Sequence, residues 1–526
     1  MVGDIVSQGQ VVRFRALPLL SKAAVIGAFA GVVICFYFLR VADPDLWWHI
    51  KTGELIATTH AVPQHDTYSF TAPGARWTDH EWASHVILYY VYDRLGGPGL
   101  TALKTLVGLG TAAAIYVLTC VPHQGTHLLV FLLASQIVAR YALYRPQMVT
   151  YLFLALLLLL LPRMEGLRNR WCASLLIPAL MVLWANLHGG FPAGLAVLAV
   201  YATVPWARGV VQPQLRAEQW PKAGCLAVVL VASTLVTLIN PYGYQLWQAL
   251  WHEVVANSLN RAYVQEWRPL WQAFQLGGVL LLLMTALALV AFILRRQAWR
   301  AEDMLLAVAT FVLSLSSIRN IPFFALVAAA PLARSLGAYM SDLQAHARAR
   351  LLFLVAVALT LVPALITVDL TCQRLNPEIE APASALGGSP SRAVAFLIAN
   401  RVRGNLYNPL GWGGYLLWHL PPEMKISIDG RSSTVYPRDV LLDNYRFYAN
   451  EAAPDLALQR GADLVLVPVD KPVAHTLDAD DKWTAVYRDD QAVLFAGPSE
   501  AGQRLVRLLH EGRLATPEVM TNGRFP

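Results

Sequence analysis

Long apolar runs separated by short polar connections occupy most of the first 370 residues of the chain. The first run is Ala23–Leu39, and a second segment, Ala83–Leu95, is apolar and aromatic but short. Ten further runs follow, several of them short enough that their ends are uncertain: Gly99–Leu118, Thr126–Leu143, Gln147–Leu161, Cys172–Leu187, Phe191–Trp206, Ala223–Ile239, Leu276–Leu294, Met304–Leu315, Ile321–Leu332 and Leu351–Val368. Because a transmembrane helix needs roughly 20 mostly apolar residues, this pattern predicts a polytopic α-helical membrane protein with about eleven spans.

The segment Ala83–Leu95 is too short to be counted with these spans. Its residues would extend only about 20 Å as a helix, whereas the hydrocarbon core of a bilayer is roughly 30 Å thick. We therefore predict an interfacial or re-entrant helix at Ala83–Leu95 rather than a twelfth span.

The basic residues determine the predicted orientation. With eleven spans, the N-terminal arm, residues 1–22, lies on the same side as the arginine-rich connections at 163–170, 208–222, 295–300 and 334–350. Loops rich in lysine and arginine face the cytoplasm, and a twelfth span would place these loops outside. The loop 41–82 and all residues after Val368 are therefore predicted to lie outside the cytoplasm.

The composition changes after Val368, and residues 369–526 are richer in charged residues, proline and glycine. The patterns there predict helices at Arg392–Val402 and Asp439–Ala449, strands at Lys425–Ile428 and Ala462–Pro468, and a hairpin of 484–488 with 492–496. Alternating helices and strands of this size indicate a small extracytoplasmic α/β domain.

The overall composition supports a membrane protein and excludes some other classes. Hydrophobic residues make up 56% of the 526 residues, charged residues only 14%, and the mean hydropathy is +0.45, whereas soluble proteins carry roughly 25% charged residues. The net charge of +7 does not indicate nucleic-acid binding, because the basic residues cluster at the ends of apolar runs. The five cysteines form no disulfide framework and no CxxC metal site.

The loop 41–82 is the longest polar interruption before the chain returns to the membrane, and it carries the candidate chemistry. Its acids and imidazoles are Asp43, Asp45, Glu54, Asp66, Asp79, Glu81, His49, His65 and His80. Such groups beside a bilayer, among tryptophans suited to the headgroup level, predict chemistry at the membrane surface.

Asp43 and Asp45 are the candidate catalytic acids, because a carboxylate at the interface can deprotonate or orient an acceptor. The alternative is that the pair caps the predicted helix Leu46–Ile56, since acids favour helix N-termini. The two residues lie two positions apart, so we expect that they cannot both face one point on a helix. Asp45 is preferred for chemistry because Pro44 fixes the backbone before it, and Asp43 is expected to cap the helix or form a salt bridge.

His49, His80 and Glu81 are candidates for holding an acceptor. His80 and Glu81 also precede the predicted interfacial helix, and the alternative for them is to cap its first turn. No metal site is predicted, because no two histidines have the spacing of ligands on one helix. No cofactor is predicted either, and a divalent metal is left open.

Basic residues in the outer turns are candidates for binding a lipid phosphate. These are Arg145, His188 and Arg319, since charged groups at membrane depth need partners and a phosphate is one. The alternative is an internal ion pair with Glu266 or with a loop aspartate. The other polar residues of the predicted outer face are Asn186, Asn240 and Glu266.

A series of motifs resembles a known superfamily. The motifs are DPDLWWH at 43–49, HEW at 80–82, NLHGG at 186–190, NPYG at 240–243 and IDGR at 428–431. Together with a multi-span body and an outer C-terminal domain, they resemble the GT-C superfamily of membrane glycosyltransferases. That superfamily includes protein O-mannosyltransferases, lipid A aminoarabinose transferases and oligosaccharyltransferase catalytic subunits. The motifs are most similar to a bacterial group of membrane proteins that is placed with these enzymes.

The resemblance implies a multi-pass enzyme of the bacterial inner membrane. It would transfer a sugar from a polyprenyl-phosphate-linked donor to a glycan, lipid or protein acceptor on the outer face. By position, Asp45 matches the first-loop acid of the aminoarabinose transferases, and Asp43 fits the Asp-Pro pattern of the oligosaccharyltransferases. His80 lies near the His-Pro-Pro-Leu element of the O-mannosyltransferases, but Glu81-Trp82 replaces the prolines.

Two other functions are left open by the sequence. One is a lipid-glycan transporter or flippase, which paired internal repeats with broken helices would favour, and the sequence has no such repeat. The other is a non-catalytic assembly factor whose outer domain binds glycan or protein.

Overall fold

The computed structural model describes residues 31–38, 43–165, 170–253, 258–342, 347–375 and 389–515. The part before residue 376 is helical. Its helices are α1 (31–38), α2 (Leu46–Thr59), α3 (Trp82–Leu118), α4 (Gln124–Ala139), α5 (Gln147–Leu160), α6 (Arg170–Leu187), α7 (Phe191–Val211), α8 (Arg216–Val236), α9 (Gln245–Trp251), α10 (Ser258–Tyr263), α11 (Leu276–Arg295), α12 (Ala301–Ser316), α13 (Ile321–Asp342) and α14 (Ala347–Leu375). Each apolar run predicted from Gly99 onward coincides with one of these helices.

Several helices have the length and composition of membrane spans. In the described part of the chain, five segments are long and apolar enough to cross a membrane: Trp82–Leu118, Phe191–Val211, Pro213–Val236, Leu276–Ala298 and Ile318–Ser341. Shorter apolar helices accompany them at Gly125–Ala139, Gln147–Leu160, Ser174–Leu187 and Val355–Asp369. The chain is thus a multi-pass helical membrane protein. The count of eleven spans stays a prediction, and the first predicted span, Ala23–Leu39, lies only partly within the described residues.

Helix α3 is interrupted between two of the apolar runs. Gly96 has φ 60° and ψ −154°, a backbone conformation that glycine adopts without a steric cost. Pro98 follows inside the helix and removes one backbone donor. The segment Ala83–Leu95 is therefore separated by a kink from the long run after it, and its interfacial position stays a prediction.

Helix α13 lies at the centre of the helical body. The membrane-length window within Ile318–Ser341 is 78% buried, compared with 28% for the window within Pro213–Val236. Ala325, Ala328 and Ala329 are fully buried, and such small side chains let neighbouring helices approach closely. The turn that precedes α13 is therefore attached to the most buried of the five membrane-length segments.

The C-terminal part forms a five-stranded mixed sheet with helices. The strands are β1 (Gly404–Tyr407), β2 (Met424–Ile426), β3 (Leu464–Pro468), β4 (Thr484–Arg488) and β5 (Ala492–Ala496), in the order β2-β1-β3-β5-β4. The helices are α15 (Ser391–Ala399), α16 (Leu410–His419), α17 (Arg438–Tyr448), α18 (Asp455–Gln459), α19 (Pro472–Asp478) and α20 (Glu500–His510). Strand β1 pairs in parallel with β2 and β3, and β5 pairs antiparallel with β3 and β4. The predicted α/β character and the bounds of the hairpin are confirmed.

The edge of this sheet is covered by the loop 41–82. Ser69 forms a parallel bridge with Ile426 of β2, and the N–H of Phe70 donates to the Ile426 carbonyl at 3.1 Å. The Lys425 ammonium donates to the Thr67 carbonyl at 2.9 Å. The C-terminal domain is therefore docked on the first loop, where the candidate acids lie.

Arg431 of the IDGR motif holds this contact. Its guanidinium lies 2.7 Å from Asp66 and 2.7 Å from Asp429, and all three side chains are fully buried. The rings of Tyr68 and Trp77 lie 4.6 and 4.7 Å from it. Within the IDGR motif, Arg431 and Asp429 form a local salt bridge across the turn. The same guanidinium pairs with Asp66, so the motif also contacts the first loop.

The basic loops predict that the C-terminal domain lies outside the cytoplasm. Ala479 is exposed directly after α19, so we expect a cysteine placed there to react with an impermeant maleimide in intact spheroplasts. The experiment uses Ala479→Cys in a chain without its native cysteines. As the matched control, Gln212→Cys, exposed after α7, should react only after lysis. The reverse labelling pattern would show that the predicted orientation is wrong.

Candidate functional site

Three carboxylates surround the guanidinium of Arg145, and we call these four side chains the Arg145 cluster. Arg145 Nε donates to both oxygens of Asp43, at 2.8 and 2.9 Å. Its NH1 lies 3.0 Å from Asp45 Oδ2 and 3.2 Å from Glu266 Oε2. The Asp43 side chain is fully buried, whereas those of Asp45 and Glu266 are 23% and 29% exposed. Asp45 and Glu266 therefore face the open side of the cluster.

The start of α2 determines where the two aspartates point. Asp45 is the N-cap residue, and its side chain makes no capping hydrogen bond. Asp43 Oδ1 accepts the N–H of Asp45 at 3.1 Å. The expectation that these two carboxylates cannot face one point is wrong, since both contact Arg145. Asp43 precedes the helix, so helical spacing does not govern its direction.

The pKa values of Asp45 and Glu266 in the Arg145 cluster are shifted in opposite directions. Burial, partly offset by Arg145, raises the pKa of Asp45 to about 7, and the nearby Asp43 contributes to the rise. Burial would also raise the pKa of Glu266, but Arg145 and Arg319 hold it below its ordinary value. Asp45 therefore changes its protonation near neutral pH, which is the property that a general base needs.

Arg319 lies beside the cluster in the short 3-10 turn Ile318–Asn320. Its NH1 is 3.8 Å from Glu266 Oε1, and its guanidinium lies 4.1 Å from the centre of the Trp267 ring. The Ser317 hydroxyl donates to the Glu266 backbone carbonyl at 3.0 Å, which joins the two turns. In the described part of the chain, Arg319 thus has one long ion pair, whereas Arg145 is shared by three carboxylates. Arg319 keeps donors available for an anion.

A second cluster, which we call the histidine cluster, lies one helical turn further along α2. His49 Nδ1 is 2.8 Å from His85 Nε2, and Glu81 Oε2 is 3.7 Å from each of these nitrogens. The second ring nitrogen of His85, Nδ1, is 3.0 Å from Asp79 Oδ2. All four residues are buried.

The other oxygen of Glu81 faces two more imidazoles. Glu81 Oε1 is 3.2 Å from His188 Nε2 and 3.5 Å from His80 Nε2. His188 Nδ1 is 2.7 Å from the Thr150 hydroxyl and accepts the N–H of Gly190 at 2.9 Å. Because Nδ1 is an acceptor, the ring proton sits on Nε2 and is donated to Glu81. Burial lowers the pKa of His188 to about 4, so this imidazole is neutral.

One ion pair in the histidine cluster persists at neutral pH. Burial would lower the pKa of His80, but Glu81, Glu253 and Asp79 together raise it to about 9. Burial would likewise raise the pKa of Glu81, but the histidines around it, His80 first, hold it well below its ordinary value. His80 is therefore protonated and Glu81 ionised.

Three atoms of the histidine cluster are arranged as metal ligands. His49 Nδ1, Glu81 Oε2 and His85 Nε2 are separated by 2.8, 3.7 and 3.7 Å. The three atoms lie close enough together to face one ion, and imidazole nitrogen and carboxylate oxygen are donors that zinc takes in proteins. Asp79 on the far nitrogen of His85 is the usual partner of a metal-bound imidazole. The donor set therefore fits Zn²⁺ or a similar divalent cation.

His85 is the residue of the site that sequence reasoning missed, and Asp79 was named among the loop acids without a role. The prediction of no metal site considered pairs of histidines on one helix, whereas His49 and His85 come from α2 and α3. One signal was available, because Glu81 and His85 lie four residues apart, so they share a face at the start of α3.

The remaining predicted residues lie near the site but bond to the scaffold. Asn186 Oδ1 accepts the indole N–H of Trp82 at 3.0 Å, which links α6 to the start of α3. Asn240 Oδ1 accepts the N–H of Tyr242 at 2.8 Å and closes the NPYG turn. The Tyr242 hydroxyl then donates to the Pro63 carbonyl of the first loop at 2.7 Å. These two asparagines hold the outer turns in place.

Comparison with known proteins identifies the fold. No family model and no curated protein matches the chain. Among solved structures, it is similar to the archaeal oligosaccharyltransferase AglB of Archaeoglobus fulgidus in complex with an inhibitory peptide and a dolichol-phosphate. The TM-score is 0.58 at 12% identity, over 86% of this chain and 70% of that chain.

Two further structures are also similar. The A. fulgidus oligosaccharyltransferase in complex with Zn and sulfate gives a TM-score of 0.53 at 13% identity, over 84% of this chain and 67% of that chain. ArnT from Cupriavidus metallidurans gives 0.48 at 14% identity, over 91% of this chain and 99% of that chain. The two oligosaccharyltransferase structures show that this chain shares their fold.

The ligand geometry of the histidine cluster predicts metal binding. We expect protein purified without chelator to contain about one divalent ion of the zinc class per chain, and His85→Ala to lose it. His65→Ala, a control on an exposed histidine of the same loop, should retain it. Elemental analysis by mass spectrometry measures this directly and does not depend on activity. Equal metal content in the parent and in His85→Ala would show that the histidine cluster does not bind the ion.

Proposed function

We propose that the chain is a glycosyltransferase of the bacterial inner membrane. It transfers a sugar from a polyprenyl-phosphate-linked donor to an acceptor at the outer face. The observation that carries the proposal is Asp45, a carboxylate on the open side of the Arg145 cluster whose pKa is raised to about 7. The GT-C fold, shared with an oligosaccharyltransferase solved with a dolichol-phosphate, supports it.

The proposed reaction is a displacement at the anomeric carbon of the donor sugar. The acceptor oxygen or nitrogen forms a bond to that carbon, and the bond from the carbon to the phosphate oxygen breaks. The bonding electrons leave with the phosphate, and the acceptor's proton passes to the Asp45 carboxylate. Arg145 holds that carboxylate in place through its 3.0 Å ion pair.

Among the three basic candidates, Arg319 is the best suited to the donor phosphate. Arg145 is engaged by three carboxylates, and His188 donates its ring proton to Glu81. Arg319 has a single ion pair, at 3.8 Å, in the described part of the chain. Its planar donors match phosphate geometry and would stabilise the negative charge that develops on the leaving group. Arg145 and His188 then organise the site.

The histidine cluster contributes to the same reaction through its position. His49 lies four residues after Asp45 on α2, one helical turn away. His49, Glu81 and His85 would hold a divalent cation, which would supply positive charge one helical turn from Asp45. Glu81 keeps His80 protonated at the start of α3, where it can bind a polar acceptor group.

The two aspartates are predicted to have different roles. Asp45→Asn should reduce transfer by about 10²–10⁴-fold, because it removes the proposed general base, while the protein still folds and binds donor. Asp43→Asn should mainly lower thermal stability, since breaking a buried ion pair costs about 3–5 kcal/mol. Because the base acts when ionised, the parental rate should rise with pH through about 7, the raised pKa of Asp45, and then level off.

A transfer assay with reconstituted protein and a thermal melt measure these effects. Glu54→Gln is the control, because Glu54 lies on the same helix but pairs at the surface with Lys51. Parental transfer by Asp45→Asn together with loss of transfer by Asp43→Asn would reverse the two roles. Full activity in both variants would exclude the Arg145 cluster as the catalytic centre.

A further inference from the structure

The C-terminal domain reaches the proposed catalytic carboxylate directly. The IDGR turn passes so close to α2 that a Cβ atom built on Gly430 would lie 2.0 Å from Asp45 Oδ1. The same atom would lie 2.6 Å from Trp48 Nε1. Both separations are shorter than any Cβ contact found in proteins, so only glycine permits this approach.

Two more glycines bring the domain into this position. A Cβ atom on Gly414 would lie 2.6 Å from the Pro44 carbonyl oxygen, and one on Gly413 would lie 2.0 Å from the Ile428 carbonyl oxygen. Helix α16 therefore packs on one side against the chain that enters α2, and on the other side against the IDGR turn. The turn is confined between α16 and Asp45.

The turn is also fixed by its own hydrogen bonds. The Ile428 carbonyl accepts the side-chain amide of Asn408 at 2.8 Å, and Asp429 Oδ1 accepts the N–H of Arg431 at 3.0 Å. The Arg431 guanidinium is held by Asp66 at 2.7 Å. Because the residues on both sides of Gly430 are held by hydrogen bonds or ion pairs, the turn is rigid where it contacts the Asp45 side chain.

We propose that Gly430 is a positioning residue, and that the C-terminal domain completes the catalytic site by holding the Asp45 carboxylate toward Arg145 and the open side. The inference rests on the proposed function of Asp45 and assigns a role to the domain in the chemical step. The contact also keeps water from one side of Asp45, which agrees with burial as the main cause of its raised pKa.

The test compares two alanine substitutions in the same domain. In Gly430→Ala the new methyl group meets the ends of two side chains, Asp45 and Trp48, and no backbone atom. The nearer one, Asp45, can turn away, so the protein should fold. We expect kcat to fall about 10²-fold, the typical cost of a misplacement of about 1 Å, with the donor KM unchanged. Gly411→Ala is the matched control, since nothing lies within 4 Å of a Cβ at Gly411, and it should keep parental kcat and stability.

The pH profile separates positioning from simple destabilisation. The added methyl group moves the carboxylate toward Arg145 or toward solvent, and both moves favour its charged form. The midpoint of the pH–rate profile should therefore fall below the parental value in Gly430→Ala and stay parental in Gly411→Ala. A lower kcat with a parental midpoint and reduced thermal stability would overturn the proposal, because it would leave the domain a purely structural role. Parental kcat in Gly430→Ala would overturn it as well.

A double substitution covers the case in which Gly430→Ala does not fold. Asp45→Ala removes the nearer of the two atoms that the methyl group would meet and leaves Trp48 in place, so it should restore folding to Gly430→Ala if the contact with Asp45 is the one that matters. Failure to restore folding would show that the contact with Asp45 is not the relevant one.

The variant Asp45→Asn tests the proposed function independently of the positioning role of Gly430. Parental transfer by Asp45→Asn contradicts the proposed function whatever Gly430→Ala does. Loss of transfer by Asp45→Asn with a parental Gly430→Ala contradicts only the positioning role.

Discussion

One guanidinium, that of Arg145, brings the neighbouring aspartates Asp43 and Asp45 together with Glu266, which is distant in the sequence. Asp43, Asp45 and Glu266 would repel one another in a partly buried site, and Arg145 contacts all three. These contacts form only if the first loop, the turn before α5 and the turn before α11 meet at one end of the helical body. The position of Arg319 depends on the same meeting, because Glu266 links it to the cluster. The proposed chemistry thus depends on the ion pairs of Arg145, which also hold these segments of the fold together.

A second buried arginine, Arg431, also pairs with an aspartate of the first loop. Arg431 pairs Asp66 of the loop with Asp429 of its own domain, and both arginines therefore use aspartates of residues 43–66. The loop is held between the membrane body and the C-terminal domain, and Asp45 lies where the two meet. Fixing a carboxylate from two sides suits a general base, since proton transfer needs a set geometry before the acceptor arrives.

The sequence predicts the features that depend on local pattern. Apolar runs located the helices, and alternation at 484–496 located the hairpin β4–β5. An ion pair of Arg145 with the loop aspartates was one of two alternatives read from charge at membrane depth. Features that depend on tertiary contact were not predictable in this way. His49 and His85 lie 36 residues apart, and the strand β1 carries Gly404 and Asn405, which are poor strand formers.

In the proposed mechanism, the open side of the Arg145 cluster faces the phosphate of a polyprenyl-linked donor. A density map of the full chain with a non-hydrolysable polyprenyl-phosphate sugar analogue tests it most directly. The predicted result is phosphate density within hydrogen-bond distance of the Arg319 guanidinium, with the anomeric carbon on the exposed side of Asp45. Phosphate bound at the opposite end of the helices, beside the basic connections at 208–222 and 295–300, would contradict it.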